Sequence, residues 1–422
     1  MKVLLVSPNV ELINMPVLPL GLGCVASAVQ QAGHEVKFLD LLFQEDWLSF
    51  LHDQIDAFPP DVIGITIRNI DDQNRSDPVF FLDRVKKILQ FCRESSSAPI
   101  VLGGAGFSLF PESALDYLEA DMGIQGEGEA AFPILLERLQ NKRPLSDVPG
   151  LYLPHAGLQS RRQFSQTLNS FPYPPADLWA SSQTGDLWLP FQTRRGCPFD
   201  CSYCSTGAIE GRKPRKRAAD KAVQDVIRYR EAGFRRFFFV DNTFNFPPSY
   251  AEELCQCMID HNLDVEWRCI LYPWRVSPTL IRKMARAGCV EVSLGFESGC
   301  NRILRSMNKR FTAFDVREIS HRLHEAGIRQ TGFLLLGGPD ETKESVEESF
   351  SFVDALPLDM VKITTGIRIY PGTALARRAV EDGVIMENND LLFPAFYLNR
   401  DLQEWLPEAS RRWGAERPSW IL

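Results

Sequence analysis

The sequence predicts an α/β protein in two parts, each built on a parallel sheet. Three observations predict this class. Short apolar runs alternate with helical patterns, the runs lack the polar alternation of half-exposed strands, and the series pauses near residue 146 and resumes near 190. Apolar strands of this kind are typical of a sheet that helices cover on both faces. A chain of 422 residues is long enough for two or three domains.

Residues 1–145 contain five strand candidates: KVLLVSP, EVKFLDLL, DVIGITIR, PIVLGG and MGIQGEG. Helical patterns lie between them, for example over 20–31 and 77–92. We therefore predict a doubly wound, five-stranded parallel sheet of the Rossmann-like or flavodoxin-like kind. Such sheets bind ligands at the carboxyl ends of their strands. GLGCVA followed by Asp40 loosely matches a dinucleotide fingerprint, but about ten residues separate it from the first strand, so we do not predict NAD binding.

The second part begins after residues 146–189, which contain prolines and aromatics and are interpreted as a linker. Six strand candidates follow: LPFQT, RRFFFVD, VEWRCIL, VEVSLGF, RQTGFLLLG and MVKITTGIRIY. Six βα units predict a partial (β/α)6 barrel over 190–385, with its chemistry at the carboxyl ends of the strands. We expect residues 386–422 to form a tail that packs on the barrel.

Composition excludes some classes of function. The net charge is −8, from 46 basic and 54 acidic residues, which does not favour nucleic acid as a partner. No apolar run approaches the roughly 18 residues of a membrane span, and the first residues lack the pattern of a signal peptide. We therefore expect a cytoplasmic protein whose ten cysteines are free thiols or metal ligands.

Three cysteines stand close together in TRRGCPFDCSYCST, residues 193–206: Cys197, Cys201 and Cys204. They follow the first predicted barrel strand. Structural zinc sites need four ligands, yet the next cysteine is Cys255 and no histidine lies within 40 residues of the triplet. Thiolate groups of this kind favour iron–sulfur chemistry. Three thiolates on a four-iron cube leave one iron open to another ligand.

This spacing, with Tyr203 before the last cysteine, resembles that of the radical S-adenosylmethionine (SAM) enzymes. The N-terminal sheet resembles the cobalamin-binding domain that precedes the barrel in one large subfamily. Further motifs occur in matching order, namely GGAGFSLFPES, GEGE, DNTFN, AGCVEVSLGFESG, GGPDET and YPGT. The resemblance implies a 4Fe-4S cluster, SAM and cobalamin as cofactors. The chain lacks the Asp-x-His-x-x-Gly motif of other cobalamin proteins, as members of this subfamily commonly do.

The resemblance also implies site residues. Cys197, Cys201 and Cys204 would hold the cluster and be catalytic. The contacts implied for SAM are Glu297 at the ribose, Asp241 and Asn242 near the methionine amino group, Arg368 and Tyr370 near adenine, and Tyr203 against the nucleoside. Those implied for cobalamin are Ser7, Asn9, Thr66, Gly103, Gly104, Gly126, Glu127 and Gly128. Ordinary structure explains some of these equally well, since Glu297 fits a helix cap or ion pair and Asp241–Asn242 fits a turn.

The implied activity is reductive cleavage of SAM to a 5′-deoxyadenosyl radical. The main hypothesis is methylation of an unactivated carbon or phosphorus in a small-molecule, lipid or peptide substrate, with electrons from a flavodoxin- or ferredoxin-type reductase. One alternative is a cyclase, rearrangement enzyme or oxidoreductase of the same architecture. Another is a non-enzymatic corrinoid or iron–sulfur carrier or sensor. The basic run Arg212–Arg217 fits a solvated loop, or recognition of a carboxylate or phosphate.

Overall fold

The computed structural model describes residues 1–11, 16, 18–182, 187–417 and 420–421. The chain divides into two compact units. The first consists of Met1–Asp72, Pro78–Leu187 and Ala208–Glu210, and the second of Gln73–Asp77, Trp188–Gly207 and Gly211–Leu422. In the described part of the chain, no helix is long and apolar enough to cross a membrane.

The first unit alternates strands and helices along its first 140 residues. Its elements are β1 (Lys2–Ser7), α1 (Leu20–Gln31), β2 (Glu35–Asp40), α2 (Trp47–Ala57), β3 (Val62–Thr66), α3 (Leu82–Ser95), β4 (Ile100–Gly103), α4 (Ala105–Leu109), α5 (Pro111–Leu118), β5 (Met122–Ile124), α6 (Gly128–Gln140), β6 (Leu151–Leu153), β7 (Gly157–Leu158) and a 3-10 helix at Ala176–Ser182. The strands form one sheet in the order β2-β1-β3-β4-β5-β6-β7.

The five strands β1 to β5 are parallel, which confirms the predicted doubly wound sheet. The segment interpreted as a linker adds the antiparallel strands β6 and β7. It also supplies Trp179, which is buried and packs edge-on against Phe38 with 5.7 Å between ring centroids. A Cβ on Gly23 would lie 2.8 Å from the Trp179 ring, so the helix α1 accommodates this indole only because residue 23 is glycine. The sequence pattern did not predict β6 and β7, because these strands have only three and two residues.

The second unit is a second series of strands and helices. Its elements are β8 (Leu189–Phe191), β9 (Arg194–Arg195), α7 (Thr206–Glu210), β10 (Arg215–Lys216), α8 (Ala219–Glu231), β11 (Arg236–Phe239), α9 (Pro248–Asp260), β12 (Glu266–Leu271), α10 (Pro278–Arg286), β13 (Cys289–Glu297), α11 (Asn301–Ser306), α12 (Ala313–Glu325), β14 (Arg329–Leu336), α13 (Lys343–Asp354), β15 (Met360–Thr365), β16 (Ile367–Arg368), α14 (Ala374–Glu381), β17 (Phe396–Tyr397), a 3-10 helix at Arg400–Leu402, α15 (Trp405–Ala415) and β18 (Trp420–Ile421). The last residues of α7, Ala208–Glu210, fall in the first unit.

The main sheet of this unit has the order β8-β11-β12-β13-β14-β15-β18, and every pair in it is parallel. From β8 to β15 the neighbours follow chain order, as the six predicted βα units require. The carboxyl ends of these strands therefore lie along one edge of the sheet. The loops at this edge carry the TRRGCPFDCSYC, DNTFN, GFESG and GGPDET motifs.

The C-terminal segment packs on this sheet. β17 pairs with β16, and β18 pairs with the edge strand β15. In α15, Leu406 is buried, and Trp413 lies against Phe350 with ring centroids 5.0 Å apart.

Glu341, in GGPDET, has a buried carboxyl group that should make stability depend on pH. Its side chain accepts hydrogen bonds from the N–H groups of Gly337 and Gly338, and its Oε1 has no partner among the described residues. Burial raises the pKa of Glu341 from 4.5 to about 7, because the charged form loses its hydration. The folded protein therefore retains a proton that the unfolded chain releases, so stability should fall as pH rises from 4.5 to 7.

We expect the Glu341→Gln variant to lose this dependence. Its free energy of unfolding should match that of the wild type near pH 5 and exceed it near pH 8, by up to about 3 kcal/mol. Chemical denaturation at the two pH values measures the difference. The exposed Glu347→Gln change is the matched control and should behave like the wild type at both. A difference between Glu341→Gln and wild type that is the same at both pH values would contradict the prediction.

Candidate functional site

The three cysteines of the predicted cluster lie on the loop between β9 and α7. Cys197 is buried, Cys201 is half-buried and Cys204 is exposed, with its Sγ 3.3 Å from Thr206 Oγ1. None of the three forms a disulfide. The loop thus presents a row of sulfur atoms from the interior to the surface.

Neighbouring segments fix this loop through its backbone. The Cys197 N–H donates to the carbonyl of Gly211, and the Ser202 N–H donates to the carbonyl of Met307, both at 3.1 Å. Gly196 has a φ of 88°, and a Cβ there would lie 2.4 Å from the carbonyl oxygen of Lys213. The loop therefore requires glycine immediately before its first cysteine.

Asp241 holds the strand that leads into the loop. Its carboxylate is fully buried and accepts from Thr193 N–H at 2.7 Å, Thr193 Oγ1 at 2.6 Å, Arg194 N–H at 3.0 Å and Arg194 Nε at 3.2 Å. These bonds satisfy the carboxylate and join the end of β11 to the residues after β8. Asn242, the next residue of the motif, is half-buried.

The basic run Arg212–Arg217 forms part of this support. Arg215 and Lys216 make up β10, which pairs antiparallel with Arg194–Arg195 of β9. Arg215 and Arg217 are buried rather than solvated. The run therefore contributes a strand beside the cysteine loop.

Glu297 ends β13 in a left-handed backbone conformation, which is uncommon for residues other than glycine. Its φ is 70°, and the pairing of β13 with β14 shifts register between Leu294 and Glu297. The side chain is 14% exposed. Its Oε1 accepts from the Tyr203 hydroxyl at 2.9 Å, while Oε2 has no hydrogen-bond partner among the described residues. Strained backbone of this kind is frequent at functional sites.

Lys309 is the residue of this site that sequence reasoning missed. It follows α11, its side chain is 3% exposed, and its Nζ donates to Tyr203 Oη at 2.9 Å, Glu297 Oε1 at 3.2 Å and the Gly295 carbonyl at 3.3 Å. Three acceptors use all three N–H bonds of the ammonium group. No hydrophobic periodicity points to Lys309 in the sequence. The one indication that it is buried is its position between the apolar residues Met307 and Phe311.

Charges at this site compensate one another. Burial alone would lower the pKa of Lys309, but Tyr203 and Glu297 raise it above its ordinary value, so the ammonium stays charged. Burial raises the pKa of the Cys201 thiol, and the Lys309 charge opposes that rise. Burial and the Glu297 charge also raise the pKa of Tyr203, which therefore stays a neutral donor. Lys309 is thus the cation that favours a thiolate at Cys201.

Aromatic side chains also pack around the cysteine loop. Phe199, between Cys197 and Cys201, stacks on Tyr272 with ring centroids 4.1 Å apart and an interplanar angle of 14°. Phe246 and Trp274 meet Phe199 edge-on at 5.3 and 5.7 Å. This wall keeps water from the buried part of the loop.

Among the residues that the structure describes, no three Cys, His, Asp or Glu side chains form a group that could hold a single metal ion. In a four-iron cube each thiolate binds a different iron, so the sulfur ligands need not converge on one position. Three thiols on one loop, beside the buried Lys309 ammonium, are ligands of the kind that such a cube takes.

Arg368 and Tyr370, expected near adenine, lie after β15. The Arg368 guanidinium is buried and donates to the carbonyls of Ile369 at 2.7 Å and Leu391 at 2.9 Å. It also lies over the Tyr370 ring, 5.2 Å from the centroid. Arg368 therefore holds residue 391 of the C-terminal segment against the strand end.

The residues expected to contact cobalamin lie at the carboxyl edge of the first sheet. Ser7 ends β1, and its side chain acts to lower the pKa of the Asp40 carboxyl group at the end of β2, although burial outweighs this effect. Asp40 Oδ2 is buried and has no partner within the described ranges. Burial raises the pKa of Asp40 to about 6. An orphaned acceptor at this edge fits a ligand that carries amide donors, as cobalamin does. Asn9 Oδ1 accepts from the Glu11 N–H at 3.3 Å.

Gly104 and Gly126 provide close backbone approach at the same edge. Their φ values are 99° and 103°, and a Cβ on Gly104 would lie 2.4 Å from the Ile67 carbonyl oxygen and 2.7 Å from Thr66 Oγ1. Gly103 ends β4. Around β5, Glu127 Oε2 accepts from Ser165 N–H at 2.8 Å, and Gly128 begins α6. Thr66, Gly103, Gly104, Gly126 and Glu127 thus occupy adjacent strand ends.

Comparison with known proteins identifies both units. The radical SAM superfamily model matches residues 192–353, and the B12 binding domain model matches residues 7–136. An uncharacterized methyltransferase of Pyrococcus horikoshii is 28% identical over 92% of this chain and 85% of its own length. Cytidylyl-2-hydroxyethylphosphonate methyltransferase of Streptomyces wedmorensis is 24% identical over 91% of this chain and 82% of its own. The solved structure of the radical SAM methyltransferase TsrM from Kitasatospora setae, with tryptophan and a SAM analogue bound, shares the fold at a TM-score of 0.89 and 21% identity, over 100% of this chain and 90% of that one.

Lys309 should set the reduction potential of the cluster. The Lys309→Met variant removes the charge and keeps an unbranched side chain. Because a nearby cation stabilises the added electron of a reduced cluster, we expect the midpoint potential to fall by on the order of tens of millivolts. A redox titration of the reconstituted protein, followed by electron paramagnetic resonance, measures this shift.

Two further variants separate charge from hydrogen bonding. Lys309→Arg keeps the charge and should keep the potential near the wild-type value. Tyr203→Phe removes one hydrogen bond but no charge, and its potential should change less than that of Lys309→Met. An unchanged potential in a Lys309→Met protein with full iron content would show that the ammonium does not act on the cluster.

Proposed function

The chain is a radical SAM enzyme with a B12-binding domain and belongs to the cobalamin-dependent radical SAM methyltransferase family, and we propose that it methylates an unactivated carbon or phosphorus of a small-molecule substrate. The family comparisons support the cofactors, which are a 4Fe-4S cluster, SAM and cobalamin. The single observation that carries the proposal is the loop of Cys197, Cys201 and Cys204, in which Tyr203 donates a hydrogen bond to Glu297 at the same sheet edge.

In this proposal Cys197, Cys201 and Cys204 hold the cluster, and Glu297 receives SAM. Glu297 Oε1 is already used by Tyr203 and Lys309, which leaves Oε2 to accept hydrogen bonds from the ribose or the amino group of SAM. When bound, the cluster and SAM supply radical chemistry, and cobalamin supplies the methyl group. The work of the chain is to bind and orient these groups and to exclude water.

The sequence predicted that Asp241, Asn242, Arg368 and Tyr370 all contact SAM. We propose direct contact for only some of them. The carboxylate of Asp241 and the guanidinium of Arg368 already bond to protein groups, so we propose that they position the segments around SAM. Asn242 and the backbone beside Tyr370 remain the proposed contacts to the methionine and adenine parts.

For cobalamin we propose the edge formed by the ends of β1, β3, β4 and β5. The orphaned Asp40 Oδ2 supports this placement, because the amide side chains of a corrinoid are donors that match it. Gly104 shapes this edge, since a Cβ there would collide with the Ile67 carbonyl and Thr66 Oγ1 and push the ends of β3 and β4 apart.

Two further parts of the proposal concern the electron donor and the cellular compartment. Reduction of the cluster needs an electron donor, for which we propose a flavodoxin- or ferredoxin-type protein. A cytoplasmic location is supported by the ten cysteines, none of which forms a disulfide, as is usual in a reducing compartment.

Metal analysis of protein purified without oxygen tests the cofactor sites. We expect about four irons and one cobalt per chain. The triple Cys→Ala variant at 197, 201 and 204 should lose iron and SAM cleavage while keeping cobalt. Cys257→Ala, at a half-exposed thiol on α9, is the matched control and should keep both metals. One zinc per chain in place of iron would overturn the proposal.

Labelled SAM separates methyl transfer from the alternative radical reactions. With methyl-labelled SAM and a reductant, the wild type should form S-adenosylhomocysteine and transfer the label to its corrinoid even without substrate. It should also form 5′-deoxyadenosine. Deoxyadenosine alone, from protein with bound cobalamin, would instead support a cyclase, rearrangement or oxidoreductase reaction. Binding of SAM with no cleavage under any reductant would support a carrier or sensor.

A further inference from the structure

The second unit contains a cavity of about 340 Å³ whose lining combines apolar and cationic groups. Val384, Phe396 and Leu398 supply its apolar part. The polar lining comes from Arg75, Arg400 and Gln403. Its size is at the lower end of the range of small-molecule sites.

The cavity lies near the carboxyl ends of β14 and β15. Leu398 packs so closely on Gly337, just after β14, that a Cβ on this glycine would lie 2.3 Å from Leu398 Cδ1. The Asn399 N–H donates to the Gly337 carbonyl at 2.9 Å. This is the edge of the sheet at which barrels of this kind perform chemistry.

Arg75 is a cation without a counter-charge. It lies on the segment Gln73–Asp77, which belongs to the second unit. Its Nε is buried with no hydrogen-bond partner, and the structure gives its guanidinium no ion pair with any described residue. Gly366, at the end of β15, has a φ of 81°, and a Cβ there would lie 2.5 Å from Arg75 Cδ. The glycine therefore permits the approach of this arginine.

Arg400 is the second unpaired cation of the cavity. Its Nη2 donates to the carbonyl of Asp382 at 3.2 Å, and no carboxylate of the described residues lies within ion-pair distance of it. The Asp382 carboxylate is instead held by Arg378 Nε at 2.8 Å and the Tyr397 hydroxyl at 2.6 Å. The lining contains no acidic residue. Two guanidinium groups and an amide thus share one cavity whose lining holds no acidic residue, and the Asp382 carboxylate that Arg400 senses is already bonded to Arg378 and Tyr397.

We propose that this Arg75–Arg400 cavity binds an oxyanion, a phosphate, phosphonate or carboxylate group of the substrate. Guanidinium groups are the side chains best suited to such groups, because their paired N–H bonds match two oxygens at once. The apolar lining formed by Phe396 and Leu398 then covers the adjoining carbon atoms. The inference rests on the proposed function, since it names the class of substrate that is methylated: a small molecule with an anionic end.

Calorimetric titration of the holoenzyme with inorganic phosphate and, separately, with acetate tests the proposal. The wild type should bind one of the two at a single site, and which one it binds distinguishes a phosphate-bearing from a carboxylate-bearing substrate. Arg75→Met and Arg400→Met should each weaken binding about tenfold, the loss expected for one charge-assisted bond. The double variant should not bind. Arg411→Met, at an exposed arginine on α15, is the matched control and should bind as the wild type does.

Gly366→Ala gives an independent check, because it displaces Arg75 without changing any charge. It should weaken binding as Arg75→Met does, and circular dichroism shows that each variant is folded. Absence of binding for both probes in the wild type, or equal binding in the folded double variant, would overturn the inference. Formation of labelled corrinoid and deoxyadenosine is measured on the same protein, so the proposed function stands or fails separately.

Discussion

The buried bond between Asp241 and the Thr193–Arg194 pair is the interaction on which the second unit's site depends. One carboxylate accepts four hydrogen bonds from the two residues that lead into the cysteine loop. Truncating either partner would leave a buried charge unpaired, which is far costlier than the loss of a surface ion pair. The direction of the loop, and with it the position of its thiols, therefore follows from an acid at the end of β11.

A second constraint links this loop to β13. Glu297 takes a left-handed backbone conformation that costs free energy, and its hydrogen bonds to Tyr203 and Lys309 offset that cost. Because Tyr203 lies between Cys201 and Cys204, the same bonds tie the carboxylate that we propose for SAM binding to the loop of the three thiols. The Lys309 ammonium and the Glu297 carboxylate together carry no net charge, which lowers the free-energy cost of burying them.

Most of the fold was predictable because parallel strands are long, apolar and regularly spaced, as β1 to β4 and β11 to β15 are. The short strands β6 and β7 carry too few residues for any period to show. The cysteine triplet and Glu297 were predictable from motifs. Lys309 was not, because its burial depends on rings and acceptors contributed by residues up to 106 positions away. Arg215 and Arg217 likewise appeared solvated in sequence, because their burial depends on contacts with residues 193–195, about 20 positions earlier in the chain.

Lys309, Arg368 and Arg75 of the second unit differ in whether their N–H groups donate hydrogen bonds to acceptors of the protein. All three N–H bonds of the Lys309 ammonium donate to protein acceptors, and the Arg368 guanidinium donates to the carbonyls of Ile369 and Leu391. Such cations are structural: they need no ligand, and their charges act only at a distance. Arg75 has no protein acceptor among the described residues, although part of its guanidinium is withdrawn from water. A desolvated donor without an acceptor lowers stability. In Arg75 this donor belongs to a side chain that also lines a cavity free of acidic residues, where a bound oxyanion would supply the missing acceptor.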